Sequence, residues 1–183
     1  MQWSNEGGLL DHMEVLVGDI TQLDVAVIVN AANSRLAGGG GVDGAIHDAA
    51  GYQELQAACV KFCGCPAGEV RLTPGFNLPA EAIIHAVGPI WQGGGQGEPE
   101  ILRSCYRKAM DVVVREGFES IAFSAISCGV YGYPHQLAVS IAVDEVRTFL
   151  AEHSGIGKVI FCCYGEAMAR LYRDQLGADK AGK

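Results

Sequence analysis

Residues Val27 to Gly51 read VIVNAANSRLAGGGGVDGAIHDAAG, and this stretch decides how the chain folds. Val27-Ile28-Val29 is apolar without polar alternation, the pattern of a strand covered on both faces. Four consecutive glycines at 38–41 follow, and then Val42 to Ala50, which reads as a helix. A strand, a glycine loop and a helix in that order belong to a sheet with helices packed against it.

The same loop is suited to an anion. Glycines let backbone N–H groups approach a ligand closely, and a helix N-terminus adds unpaired donors with a dipole that favours phosphate. Open α/β sheets place ligands at the ends of central strands, so a diphosphate site is expected here. Asn33 and Asp43 stand at the two ends of the loop, which can fold them toward one point to hold a water molecule. Asp43 falls in the first turn of the helix, where the dipole stabilises its ionised form. His47 lies one turn further on the same face, as an auxiliary in proton transfer or as a hydrogen-bonded structural residue. Gly39, Gly41 and Gly44 match G-x-G-x-x-G, but Asn30 to Gly38 is too long for the tight dinucleotide turn. No strand ends in an acidic residue about 20 positions later, as ribose binding there requires, so a dehydrogenase is set aside.

Outward from this unit, strands are expected at Met13 to Val17, Val25 to Asn30, Glu69 to Thr73, Ala82 to Ala86, Ser120 to Phe123 and Lys158 to Tyr164. Helices fit at Val42 to Ala50, Tyr52 to Phe62, Glu98 to Arg115, Gln136 to Ala151 and Glu166 to Gln175. In the third of these, Ile101, Leu102, Cys105, Ala109, Val112 and Val113 recur at helical spacing. Gln92 to Gly97 reads as a glycine-rich surface loop and Gly177 to Lys183 as a polar tail without fixed structure. A second strand-to-helix loop, Ser124 to Pro134, offers backbone donors at Ser127 to Gly129 and an aromatic cover at Tyr131. A third loop, Gly18 to Thr21, carries Asp19, which can accept from an amino group or cap a turn.

The chain has 183 residues, 49% of them hydrophobic and 19% charged, enough for one substantial core and short for two. Its formal charge of −8 opposes sequence-independent binding to duplex nucleic acid, which draws on Lys and Arg. No apolar stretch reaches the roughly 18 to 20 residues of a membrane span. Seven cysteines, an odd number, and a start without the features of a signal peptide point to a reducing cytoplasmic home. Cys59, Cys63 and Cys65 lack structural-zinc spacing, while Cys105, Cys162 and Cys163 read as buried small hydrophobes, so no metal and no cofactor are expected.

Three loops in this order, with Asn30-Ala31-Ala32-Asn33, the glycine run and Val42-Asp43-Gly44, resemble the macro domain family. Within it they resemble the bacterial and MacroD-type branch of ADP-ribose hydrolases. Cys65-Pro66-Ala67-Gly68, His85-Ala86-Val87-Gly88-Pro89 and Gly129 to Pro134 support the branch. The resemblance spans roughly Met13 to Leu176. It implies a single macro domain over 1–183, a three-layer α/β/α fold around a central six-stranded mixed sheet, with ADP-ribose bound across the strand ends. By the same resemblance Asp19 pairs with the adenine amino group beside Ile20, and Tyr164 stacks on adenine. Gly40, Gly41 and Val42, with Ser127, Cys128, Gly129, Val130 and Tyr131, hold the diphosphate and distal ribose, and Asn33 and Asp43 match the catalytic pair. Cys128 stands where Thr is common, and Gly165 where a neighbouring branch often has an acidic residue.

The implied reaction is hydrolysis of esters on the distal ribose: O-acetyl-ADP-ribose to ADP-ribose and acetate, and mono-ADP-ribose from protein Asp or Glu. A first-turn Asp43 should have a low pKa and be a weak general base, so its expected task is to orient the attacking water. The alternatives are a non-catalytic reader of ADP-ribosylated proteins and a regulator of a bacterial double-strand-specific ribonuclease, since fold alone does not fix activity.

Overall fold

The computed structural model describes residues 8–181, with side chains described as far as Gly177. In chain order the elements are β1 (Met13–Val17), β2 (Val27–Ala32), α1 (Gly41–Ala50), α2 (Tyr52–Val60), β3 (Val70–Pro74), β4 (Ala82–Val87), α3 (Glu98–Glu116), β5 (Ser120–Phe123), α4 (His135–Glu152), β6 (Lys158–Cys163) and α5 (Glu166–Ala181). Short 3₁₀ turns at Leu10–His12 and Ile20–Gln22 flank β1.

The strands form one mixed sheet in the order β1-β6-β5-β2-β4-β3, parallel throughout except where β3 meets β4. Side chains alternate across it, and each face has its own apolar layer. Val27 and Val29 of β2 join the larger layer with residues of α3, α4 and α5, such as Tyr106, Val143 and Tyr172. Ile28 and Ala32 join the smaller one with Ile46 of α1 and Leu55 and Cys59 of α2. Val27, Ile28 and Val29 are completely buried, each side chain contributing on the order of 1.5–3 kcal/mol. The result is the expected α/β/α sandwich around six strands.

Helix ends follow local chemistry. In α3 a proline occupies the first turn, and Gly117 closes the helix in the left-handed conformation, donating to the carbonyls of Val113 and Val114. Among the described residues no helix is long and apolar enough to cross a membrane.

Most expected boundaries shift by one or two residues, and the last helix shifts furthest. The second strand was expected over Val25 to Asn30, but pairing with β4 carries it through Ala31 and Ala32, opposite Ala86 and Val87. Its start is held back because the Ala26 carbonyl accepts the Glu81 and Ala82 N–H groups while the Ala26 N–H goes to Ser120 Oγ. The last helix does not stop at Gln175. It continues through Gly177 to Ala181, so most of the expected unstructured tail is helical; a single glycine weakens a helix by about 1 kcal/mol without ending it. Residues 182–183 of that tail lie outside the described residues.

Candidate functional site

Two connected clefts open where the parallel strands end. The first, about 310 Å³, is lined by the glycine loop, Asn33, Asp43, Ser127 and Tyr131. The second, about 650 Å³, is lined by Asp19, Ile20, Cys128, Cys162, Tyr164 and Met168. Gly41, Val42, Ala125 and Gly129 border both, so one elongated ligand can occupy the two.

The loop needs its glycines at defined places. Gly41 has φ +58°, a conformation that disfavours side chains. At Gly44 an added Cβ would lie 2.5 Å from the Gly39 carbonyl oxygen, so the first turn of α1 seats directly on its own loop. The first turn of a helix leaves its N–H groups without intrahelical partners. Gly41, Val42 and Gly129 border both clefts, and Val130 lines the first.

Asp43 is 6% exposed and its carboxylate is held from three directions. Oδ1 accepts from Asn30 Nδ2 at 2.8 Å and faces His47 Nδ1 at 3.1 Å, while Oδ2 accepts the Gly39 N–H at 2.9 Å. Burial works against the Asp43 charge. Hydrogen bonds from His47 and Asn30, the His47 charge and the Gly39 N–H outweigh it and hold the carboxyl below its ordinary value.

At His47, burial opposes protonation, but the Asp43 hydrogen bond and charge raise its pKa to about 10. The Gln56 amide nitrogen lies 3.0 Å from His47 Nε2 and 2.8 Å from the Leu36 carbonyl. As placed, the amide NH₂ donates to the Leu36 carbonyl and to a bare Nε2; turned over to accept from an imidazolium, it gives up the Leu36 bond. In either state Nδ1–H stays on Asp43, and the Asp43 carbonyl oxygen, at 2.9 Å, anchors the same nitrogen.

Asn33 reaches the same place from the other end of the loop. Its side chain accepts the Ala37 N–H at 3.1 Å and donates to the Ala37 carbonyl. A Cβ at Gly39 would lie 3.5 Å from Asp43 Oδ2 and 3.9 Å from Asn33 Nδ2, so the two polar groups straddle Gly39.

Ser127, which also lines the first cleft, takes φ +64°, and its hydroxyl donates to the Pro89 carbonyl at 2.8 Å. The Trp91 N–H donates to the Tyr131 carbonyl at 2.8 Å, and the Trp91 and Tyr133 rings lie 4.7 Å apart. Burial, then the Asp43 charge, push the Tyr131 phenol up, so it stays neutral beside that carboxylate. Val130 is fully exposed at the tip of this turn.

In the second cleft Asp19 Oδ1 caps the turn, accepting from the N–H and hydroxyl of Thr21 at 2.9 and 2.7 Å. Ile20 is buried beneath it, and Tyr164 is fully exposed at the rim, one residue beyond the end of β6. Burial pushes the Cys128 and Cys162 thiols up to about 12 and about 11, so both line the cleft as neutral groups. Among the described residues no group of three or more His, Cys, Asp and Glu is placed to hold a metal ion.

Sequence reasoning found Asn33, Asp43 and His47 and passed over Asn30 and Gln56 as side chains. The available signal was an Asn in the middle of an otherwise apolar strand, where a buried amide needs a partner.

Fold and clefts define an α/β protein with an elongated depression at the strand ends, bordered by a glycine loop and the first turn of a helix. The Macro domain family profile matches residues 29–142. A macro domain-containing protein of Mesorhizobium japonicum is 50% identical over 173 residues, covering 94% of this chain and 98% of that protein. The O-acetyl-ADP-ribose deacetylase of Citrobacter koseri is 53% identical over 165 residues, 88% of this chain and 93% of that one. The Oceanobacillus iheyensis macrodomain solved with ADP superposes with a TM-score of 0.88 at 43% identity, covering 93% of each chain. A Trypanosoma brucei macrodomain in complex with ADP-ribose gives 0.85 at 42% identity, over 96% of this chain and 71% of that one. The chain belongs to the macro domain family.

Proposed function

We propose that this protein binds ADP-ribose across the two clefts and hydrolyses esters on its distal ribose. O-acetyl-ADP-ribose would give ADP-ribose and acetate, and ADP-ribose esterified to protein Asp or Glu would be released in the same way. The observation that carries this reading is the Asp43 carboxylate, fixed by Asn30, Gly39 and His47 on the wall of the first cleft beside Asn33. The name of the Citrobacter koseri relative and the ligands of the two structural neighbours support it.

In this reading the adenine lies in the second cleft, with Asp19 accepting from its amino group, Ile20 beside it and Tyr164 against its face. The N–H groups of Gly40 to Val42 and of Ser127 to Tyr131 hold the diphosphate, as helix N-termini and turns hold anions. The distal ribose then reaches Asn33 and Asp43. A depressed pKa makes Asp43 a poor proton acceptor, so its contribution is to hold and aim a water. The water oxygen bonds to the ester carbonyl carbon, and the bond from that carbon to the ribose oxygen breaks. The ribose oxygen takes one of the water's two protons, the other passes to solvent, and the acid leaves as carboxylate. Asn33 keeps the ribose or the water in line.

Acetate release from O-acetyl-ADP-ribose, measured beside calorimetric titration with ADP-ribose, tests the reading. Turnover with saturable binding is expected; tight ADP-ribose binding without acetate makes the protein a reader.

A further inference from the structure

Behind Asp43 a chain of buried polar side chains crosses three strands. Asn30 of β2 and His85 of β4 are register partners, and His85 pairs in turn with β3. Both residues sit on the sheet face otherwise occupied by Ile28, Ile83 and Val87. Asn30, Thr73 and His85 are 0%, 3% and 1% exposed. Polar groups this deep are hydrogen-bonded, and their partners specify direction as well as contact.

The directions can be read from one end. The Thr73 hydroxyl donates to the Pro74 carbonyl oxygen at 3.2 Å. Its oxygen is then left to accept, and His85 Nε2 stands 2.9 Å away. That nitrogen therefore carries the proton; Cys59 Sγ, 3.8 Å from it, is a weak further acceptor. Burial, then the nearby His47 charge, keep the ring neutral, its pKa pushed down to about 4 against the pull of Asp43. A neutral ring protonated at Nε2 has a bare Nδ1, and Asn30 Nδ2 lies 3.1 Å from it. The Asn30 amide thus turns its NH₂ group toward both His85 and Asp43 Oδ1. Its own Oδ1 has no partner among the described residues, a rare state for a buried amide oxygen. Turned over, Asn30 would set that oxygen against the ionised Asp43.

We infer that Thr73 and His85 are positioning residues: they hold the Asn30 amide from behind in the one orientation that serves Asp43, and through it aim the Asp43 carboxylate. The catalytic consequence rests on the ester-hydrolase reading above; the hydrogen-bond polarity does not.

The test has two arms. Nitrogen-15 NMR of the labelled protein at pH 7 should show His85 neutral and protonated at Nε2. An Nδ1–H tautomer or an imidazolium overturns the inference, and this arm needs neither substrate nor variant. In the second arm Thr73→Val removes the acceptor while keeping the shape, and Thr73→Ser restores it. Thr73→Val should lower kcat for acetate release on the order of tenfold with the ADP-ribose Kd unchanged, and Thr73→Ser should recover it. Unchanged kcat in Thr73→Val overturns the positioning role. A wild-type protein that shows the expected tautomer but releases no acetate counts against the hydrolase reading and leaves the polarity standing.

Discussion

The backbone N–H of Gly39 donates to Asp43 Oδ2 at 2.9 Å, so the carboxylate on the cleft wall is also the clasp that closes the glycine loop. One side chain links loop shape to the chemistry proposed for the cleft. Changes to either should therefore be felt by the other, in amounts that the geometry ranks.

Gly44→Ala is the sharpest steric case. Its new Cβ would meet the Gly39 carbonyl oxygen at 2.5 Å, which forces the clasp apart. Overpacking of this kind costs about 1–3 kcal/mol. Urea unfolding should show that loss, and calorimetry should show weaker ADP-ribose binding. Wild-type values in both measurements would mean that the loop yields without consequence.

Stability should depend on pH through the Asp43–His47 pair. His47 is raised from 6.5 to about 10, so its contribution is complete below about 6.5 and is lost as pH rises toward 10. Asp43 is lowered, so its contribution is present above its ordinary value near 3.8 and is lost as pH falls through the lower folded value. Urea midpoints of the wild type should fall between pH 6.5 and 10, and His47→Gln should flatten that slope. Parallel slopes for the two proteins would show that His47 does not carry the effect.

The second loop has its own brace. Glu98 is buried and its carboxylate accepts the N–H groups of Gln92, Gly94 and Gln96, closing the glycine-rich segment that presents Trp91 to Tyr131. Burial opposes its charge, but these backbone donors hold its pKa below the ordinary value. Glu98→Ala should weaken ADP-ribose binding while kcat at saturation stays near wild type, because the brace reaches the binding turn through Trp91 and does not touch Asp43. A fall in kcat at unchanged affinity would place Glu98 in a different role.

Much of this was legible before the structure. Val27 to Val29 announced a central strand, the glycine run a loop, and Asp43 a first-turn carboxylate, because each rests on local chemistry. Asn30 was not read as a partner of Asp43, since their contact depends on β2 continuing to Ala32 and on α1 folding back over it. The partnership of Asn30 with His85 is a matter of register between strands 55 residues apart, which no local pattern encodes. Residues Glu166 to Ala181 misled in the other direction: Gly177 looked like a stop, yet the helix continues.

The central claim is that Asp43 aims the attacking water and is not needed to hold ADP-ribose. Acetate release and ADP-ribose binding should be measured together in Asp43→Ala. Turnover should fall about 10²- to 10⁴-fold while ADP-ribose is still bound, with only the loss of affinity that opening the Gly39 clasp brings. Turnover equal to the wild type would contradict the claim and remove Asp43 from the reaction.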